Sequence, residues 1–291
     1  MSALALGVMT RHVGRPSIEE VAAAVRGHGL TAVQLSLDAP DPALLPERLT
    51  EAEARRIAAA FRAAGVRVAA VSGTFNVLDP ERARLRANMT RFAHLCEACG
   101  WLETRVVTAC SGTRDPDSMW RPHPANQQPD AWAELVERTG RLVAAAEAAG
   151  VVMAYEPETA NVLDTTEKAQ RLLETIGSPA LGITFDPANF FYPQDLPRME
   201  EVLTEGFRRL GPRIALAHAK DVVPPPDGAS HCRYAPAGQG RLDYATYLRL
   251  LQESGYDNGL ILHSLSEREI PGCVAHLRAH APARTARSAG A

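Results

Sequence analysis

Short runs of apolar and β-branched residues alternate with longer stretches of helical periodicity along the whole chain. The runs predict strands over about residues 3–9, 32–37, 67–72, 104–109, 151–156, 181–186, 213–218 and 259–263. Between them, apolar positions recur with a helical period over 17–29, 51–64, 80–99, 129–149, 165–175, 197–209 and 243–254. Ser17 with Glu20, and Thr50 with Glu53, have the spacing of capping boxes, which mark helix starts. Gly29, Gly65, Gly150 and Gly255 each stand just before a predicted strand region, where helices end in a left-handed residue. The strand runs are nearly continuous in apolar residues, which suits parallel strands covered on both faces. Eight strand–helix repeats in 291 residues predict one (β/α)8 barrel, over residues 1–280. A doubly wound sheet would need a glycine-rich phosphate turn after an early strand, and none is present. Residues 281–291, of low hydrophobicity, are expected to form a disordered tail.

In such a barrel the C-terminal ends of the strands form the active face. The fifth predicted strand ends at Glu156, the sixth at Asp186, the seventh at His218 and the eighth at His263. Two carboxylates about 4 Å apart repel by roughly 4 kcal/mol at an effective dielectric of about 20, so the pair needs a proton or a cation between them. Two neighbouring imidazoles favour the cation. Mixed nitrogen and oxygen ligation suits Mn²⁺, Co²⁺, Zn²⁺ or Fe²⁺ better than Mg²⁺ or Ca²⁺. Each residue alone has a plainer reading: Asp186 caps a turn in "DPAN", His218 is a satisfied core histidine, His263 is a solvated loop edge. Their coincidence on four successive strands argues for one divalent ion.

Bulk composition narrows the remaining choices. With 46% hydrophobic and 22% charged residues the chain reads as an ordinary soluble globular protein. A net charge of −3 gives no pull toward nucleic acid or anionic lipid, and no apolar stretch approaches a membrane span. The start, "MSALALGVMTRHVGRPS", reads as a first strand rather than a signal peptide. Five cysteines, an odd number, fit a reducing cytoplasm, the expected location. Cys96 and Cys99 form a CxxC on a helical face with Phe92 and Leu95, which favours core packing over redox or metal chemistry.

The stretches "AYEPE", "ITFDPANFF", "LAHAKDV" and "APAGQGRLDYATYLRLLQESGYDNGLILH" resemble the xylose isomerase-like TIM barrel superfamily, which holds sugar isomerases and epimerases, inosose dehydratases and endonuclease IV-type enzymes. "AAVSGTFNVLDPERARLRANMTRFAHLCEACG" and "VVTACSGTRD" extend the resemblance over most of residues 1–270. It implies one divalent metal held by a Glu, an Asp, a His and a second Glu, of which Glu156, Asp186 and His218 match the first three. At the second glutamate's place stands His263, with Glu267 in the following loop as a rival fourth ligand. A second departure is Asn189, where epimerase-like members often carry histidine; Asn can donate to a substrate oxygen but cannot shuttle a proton.

The resemblance implies a sugar or polyol isomerase or epimerase that removes a proton next to a carbonyl, with Glu156 as both ligand and base. Losing the second carboxylate weakens symmetric two-base epimerisation and leaves room for a keto-polyol dehydratase of the inosose type. A barrel subunit that holds the metal but works with a partner is a further alternative. Candidate substrate contacts are Lys220 in "HAKD", Glu158 (on the same side as Glu156 in extended chain) and Asn189. Trp120 lies in the long segment 110–128, expected as a lid, and His231 and Arg233 lie in 222–240. The expected partner is a small sugar or polyol, with no nucleic acid and no membrane. Dimers and tetramers are common among look-alikes, so a homo-oligomer is compatible. The endonuclease reading is disfavoured, because strands two and three end in "LSLDAP" and "AVSGTFN", without histidine.

Overall fold

The computed structural model describes residues 4–37, 39, 43–226 and 231–282. Its first half runs β1 (Leu6–Met9), α1 (Ile18–Gly27), β2 (Ala32–Leu35), α2 (Glu51–Ala63), β3 (Arg67–Asn76), α3 (Arg82–Trp101), β4 (Val106–Cys110) and α4 (Pro129–Ala149). The second half runs β5 (Val152–Glu156), α5 (Thr166–Ile176), β6 (Leu181–Phe185), α6 (Met199–Leu210), β7 (Ile214–Ala219), β8 (Asp221–Val223), β9 (Arg233–Ala235), α7 (Tyr244–Glu253), β10 (Leu260–Leu262) and α8 (Ile270–His280). Eight parallel strands close in the order β1-β10-β7-β6-β5-β4-β3-β2, so β10 is the eighth stave and seals against β1. This is the (β/α)8 barrel expected from the alternation of apolar runs.

Local signals act as they read. Ser17 accepts the Glu20 amide and Thr50 the Glu53 amide, with both glutamates returning to the cap amide. Gly29, Gly65, Gly150 and Gly255 all have positive φ, the conformation that ends a helix without a Cβ penalty.

Strand alternation then builds the interior in layers. Side chains two residues apart share a face, so each strand sends alternate residues into the barrel. Ala32, Ala70, Val106, Ala154, Leu216 and Ile261 pack together as one small inner cluster. Two residues further along each strand come Gln34, Ser72, Thr108, Glu156, His218 and His263. The intervening residues Val33, Val71, Val107, Tyr155, Ala217 and Leu262 belong to the larger cluster beneath the helices. The apolar layer is thus a floor, and the polar layer directly above it is the candidate site.

Two elements escaped the periodicity. The eighth helix, α8, opens with Pro at its first positions, and "IPGC" masks a helical stripe although Pro there is compatible with a helix start. Within 222–240, expected as a loop, β8 and β9 pair as an antiparallel hairpin. The expected tail lies outside the described residues beyond 282. No helix among the described residues is long and apolar enough to cross a membrane. Cys96 and Cys99 are free and buried in α3, burial pushing the Cys99 thiol up to about 12, so the CxxC packs the core.

The turn between β9 and α7 hangs on one buried carboxylate, Asp221 at the start of β8. Asp221 Oδ1 accepts the amides of Val222 and Leu242 at 2.8 Å each, and Oδ2 accepts that of Gly238 at 2.9 Å. A Cβ on Gly240 would stand 2.3 Å from Asp221 Oδ1, so the approach needs glycine. Replacing Asp221 by Ala strands buried amides, and we expect a loss of about 3 kcal/mol, read as a lowered unfolding midpoint.

Candidate metal centre

Glu156 ends β5, Asp186 follows β6, His218 lies in β7 and His263 follows β10. One ligand atom from each falls within 4.8 Å of the others. Asp186 and His218 are fully enclosed, whereas Glu156 and His263 retain 12% and 9% of their side-chain surface.

The carboxylate of Asp186 divides its two oxygens. Oδ1 accepts the Ala188 amide at 3.2 Å and caps the short 3₁₀ turn Pro187–Phe190. Oδ2 points into the cluster, 2.7 Å from His263 Nε2, 3.2 Å from Lys220 Nζ and 3.5 Å from His218 Nδ1. Turn cap and cluster member are therefore the same residue, and the two readings do not compete.

His218 reports what the cluster lacks. Gln34 donates through Nε2 to Ser72 Oγ and Thr108 Oγ1, which turns its Oε1 toward His218 Nε2 at 2.7 Å. An amide oxygen only accepts, so His218 Nε2 carries the proton and the neutral ring keeps its lone pair on Nδ1. That nitrogen is buried without a hydrogen-bond partner, 3.4 Å from Glu156 Oε1 and 3.5 Å from Asp186 Oδ2. A lone pair facing two carboxylates demands a positive charge between them. Burial would lower the His218 pKa, but Glu156 and Asp186 outweigh it and raise it to about 9, so a proton takes the place in the absence of another cation. Two carboxylates and two imidazoles around that point suit a divalent ion.

A second tier of charge stands above the first. Lys220 and Glu158 continue the inward alternation of β7 and β5, two residues beyond His218 and Glu156. Lys220 is 1% exposed, its Nζ 3.2 Å from Asp186 Oδ2, 3.8 Å from Glu158 Oε1 and 3.7 Å from the centre of the Tyr234 ring. Burial opposes its charge, yet Asp186 and Glu158 prevail and raise its pKa. Burial would raise Asp186, but Lys220 and the two histidines hold it well below the usual carboxylate range. Burial lifts Glu158 to about 7 despite Lys220. His263 is driven down to about 4 by burial and by Lys220, and is neutral.

Asn189 Nδ2 donates to Glu156 Oε1 at 3.2 Å and to Pro157 O at 2.9 Å, leaving a buried Oδ1 without a partner. The rival Glu267 is elsewhere: it pairs with Arg15 at 2.5 Å and His28 at 3.0 Å, so His263 fills the fourth place in the cluster. Segment 110–128 is pinned to the loop after Glu158 through Asn161 Nδ2 to Met119 O and Asn126 Nδ2 to Ala160 O, both 2.9–3.0 Å. Trp120 at its tip is 54% exposed. His231 packs against Tyr192, 5.5 Å between ring centres, and Arg233 is exposed on β9. Gln34 and Tyr234 were not foreseen as site residues. The polar Gln34 inside the apolar run "AVQLSL" was the available signal for the first.

A cavity of about 540 Å³ opens at the opposite ends of the strands, among Arg67, Thr104, Val152, Ala215 and Asn258. That face carries stability in barrels of this kind, not chemistry.

The model of the xylose isomerase-like TIM barrel family matches residues 22–287. The chain belongs to that family. No curated protein matches it in sequence. Solved structures share the fold: a D-tagatose 3-epimerase-like protein has a TM-score of 0.72 at 18% identity, covering 95% of this chain and 97% of its own. A 3-keto-D-glucoside 4-epimerase from E. coli gives 0.69 at 14%, covering 95% and 99%. A probable 3-DHS dehydratase from Bacillus anthracis gives 0.70 at 12%, covering 94% and 99%. The xylose isomerase-like fold is thus shared by proteins described as epimerases and as a dehydratase.

In this family member Lys220 is the permanent cation among three carboxylates. With divalent ions removed by chelator, Lys220→Met should lose about 3 kcal/mol at about pH 8, where the carboxylates are ionised. Part of that loss should return as pH falls, because Asp186 and Glu158 then gain protons and lose their repulsion. Unfolding curves in EDTA across pH check both; unchanged stability would remove Lys220 from the charge balance.

Proposed function

We propose that this xylose isomerase-like barrel is a divalent-metal-dependent sugar or polyol isomerase or epimerase, working by removal of a proton next to a carbonyl. The observation that carries the reading is the buried, unpartnered Nδ1 of His218 aimed between two carboxylates. Glu156, Asp186, His218 and His263 would hold the ion. When bound, it polarises the substrate carbonyl and stabilises the negative charge that develops on its oxygen.

The chain's own residues supply the rest. Glu156 keeps accessible surface at the mouth and takes the proton from the carbon. Asn189 holds that carboxylate by its Nδ2 and offers the free Oδ1 to a substrate hydroxyl. Gln34 fixes the tautomer and the ring plane of His218. Lys220 and Glu158 bound the space above the cluster, where an oxygen of the substrate would displace part of their mutual contact. Trp120, His231 and Arg233 would serve as outer contacts for a polyol chain.

A keto-polyol dehydratase is the second reading, favoured by one feature. The cluster has a single carboxylate open to substrate, whereas reversal at one carbon by two bases needs one on each face. Both reactions begin with the same proton, so one experiment covers them. Purified protein, metal-loaded, is incubated in D₂O with a panel of keto sugars and inososes. Deuterium should enter next to the carbonyl in at least one of them, stop on chelation and fall by about 10²–10⁴-fold in Glu156→Gln that still binds metal. Absence of exchange across the panel, or full exchange in Glu156→Gln, would falsify the proposal.

A further inference from the structure

We propose that His263, set by Ser264, biases this centre toward Zn²⁺ and Co²⁺ and away from Mn²⁺ and Mg²⁺. The inference rests on the metal reading above and adds the class of metal to it. The slot held by glutamate in the resembled epimerases holds here a buried imidazole, Nε2 facing Asp186 Oδ2 at 2.7 Å. Its ring stands edge-on to His218, 4.7 Å between centres.

The ring is held in one sense. Ser264 has a φ of 58°, and among the described residues only Glu103 shares that left-handed backbone without being glycine. The turn sets the Ser264 hydroxyl 3.1 Å from His263 Nδ1. Asp186 Oδ2 only accepts, so here Nε2–H donates to it and the Ser264 hydroxyl donates to Nδ1. An ion in the cluster would displace that proton, and the same hydroxyl oxygen could then accept Nδ1–H and leave the Nε2 lone pair to the ion. Gln34 does the same for His218 from the opposite wall, through its other nitrogen. Each imidazole therefore has an outer partner able to hold a proton on the nitrogen away from the cluster when an ion takes the inner one.

Among the described residues no further carboxylate joins the cluster to restore an oxygen shell. Glu267 is held by Arg15 and His28, and Glu158 turns to Lys220. Two nitrogen donors suit the later, borderline-soft ions, while Mg²⁺ and Mn²⁺ favour oxygen.

Competition binding with Zn²⁺ and Mn²⁺, alongside pulsed EPR of Cu²⁺-loaded protein, tests this without any substrate. The natural chain should show two coupled imidazole nitrogens, and His263→Glu one. His263→Glu should also lower the Zn²⁺-to-Mn²⁺ affinity ratio about tenfold or more. Ser264→Gly, at a backbone position glycine adopts freely, should weaken Zn²⁺ about tenfold with the fold intact. One coupled nitrogen in the natural chain, or an unchanged ratio in His263→Glu, overturns the inference while leaving a metal-binding barrel. If the natural chain takes up no divalent ion, the reading beneath it fails as well.

Discussion

Three carboxylates share one buried space at the mouth of this barrel, and their mutual repulsion is the constraint that the surrounding residues answer. Glu156, Asp186 and Glu158 are each withdrawn from water that would otherwise screen them. Coulomb interactions that are worth about 1 kcal/mol in water at 4 Å grow several-fold at an interior dielectric. Lys220 supplies one fixed positive charge, and its own burial is tolerable only because Asp186 and Glu158 lie within 3.2 and 3.8 Å and Tyr234 covers it. One ammonium against three carboxylates leaves the lower tier, around Glu156 and Asp186, short of positive charge. The lone pair of His218 faces that place. A proton there offsets them in part, and a divalent ion would balance the two carboxylates of the lower tier in full.

The barrel makes this crowding possible because the strands position the side chains before any of them interacts. Small inward residues, Ala32, Ala70 and Ala154, leave a narrow floor, and Leu216 and Ile261 close it. Inward positions of the next layer converge above that floor, which is why Gln34 on β2 can reach His218 on β7 across the interior. Hydrogen bonds from outside then remove rotational freedom: Tyr247 donates to the His218 carbonyl at 2.9 Å and so ties α7 to β7 where the imidazole projects. The site is rigid for the same reason that it is electrostatically strained: each side chain is packed before it is charged.

The sequence made some of this legible and hid the rest. Glu156, Asp186, His218 and His263 could be found because strand ends are marked by a change from apolar to polar residues, and that change is local. Capping boxes and helix-ending glycines are local too, and they stand where they were expected. Gln34 is different: its partner is 184 positions away, and nothing in "AVQLSL" says which side chain faces it across a closed barrel. Tyr234 depends on the β8–β9 hairpin, whose three-residue strands are too short to show an alternation. Lys220 looked equally suited to solvent, because a single lysine after a strand carries no signal of the acids above and beside it. Likewise, nothing near Glu267 in the sequence says that it pairs with Arg15 and His28, residues far away in the chain, while His263 stands in the cluster.

The histidine at 263 shapes the chemistry the proposal allows. A carboxylate in that slot would lie among the ligands as a second acceptor for protons across the substrate from Glu156. An imidazole whose inner nitrogen meets Asp186, or would meet an ion, and whose outer nitrogen meets Ser264, has no free position with which to exchange a proton. Asn189, likewise, can position an oxygen but not protonate it. In the lower tier Asp186 is fully buried and engaged with His263 and Lys220, which leaves Glu156 as the carboxylate with accessible surface, and the next candidate is Glu158, one tier higher and engaged with Lys220. A reaction in which one base withdraws a proton and the same face receives or loses the next group fits this layout better than inversion between two opposed bases. Under the proposed chemistry, specificity would then fall to the upper tier, where Lys220, Glu158 and Tyr234 would meet the part of the substrate that the ion does not touch.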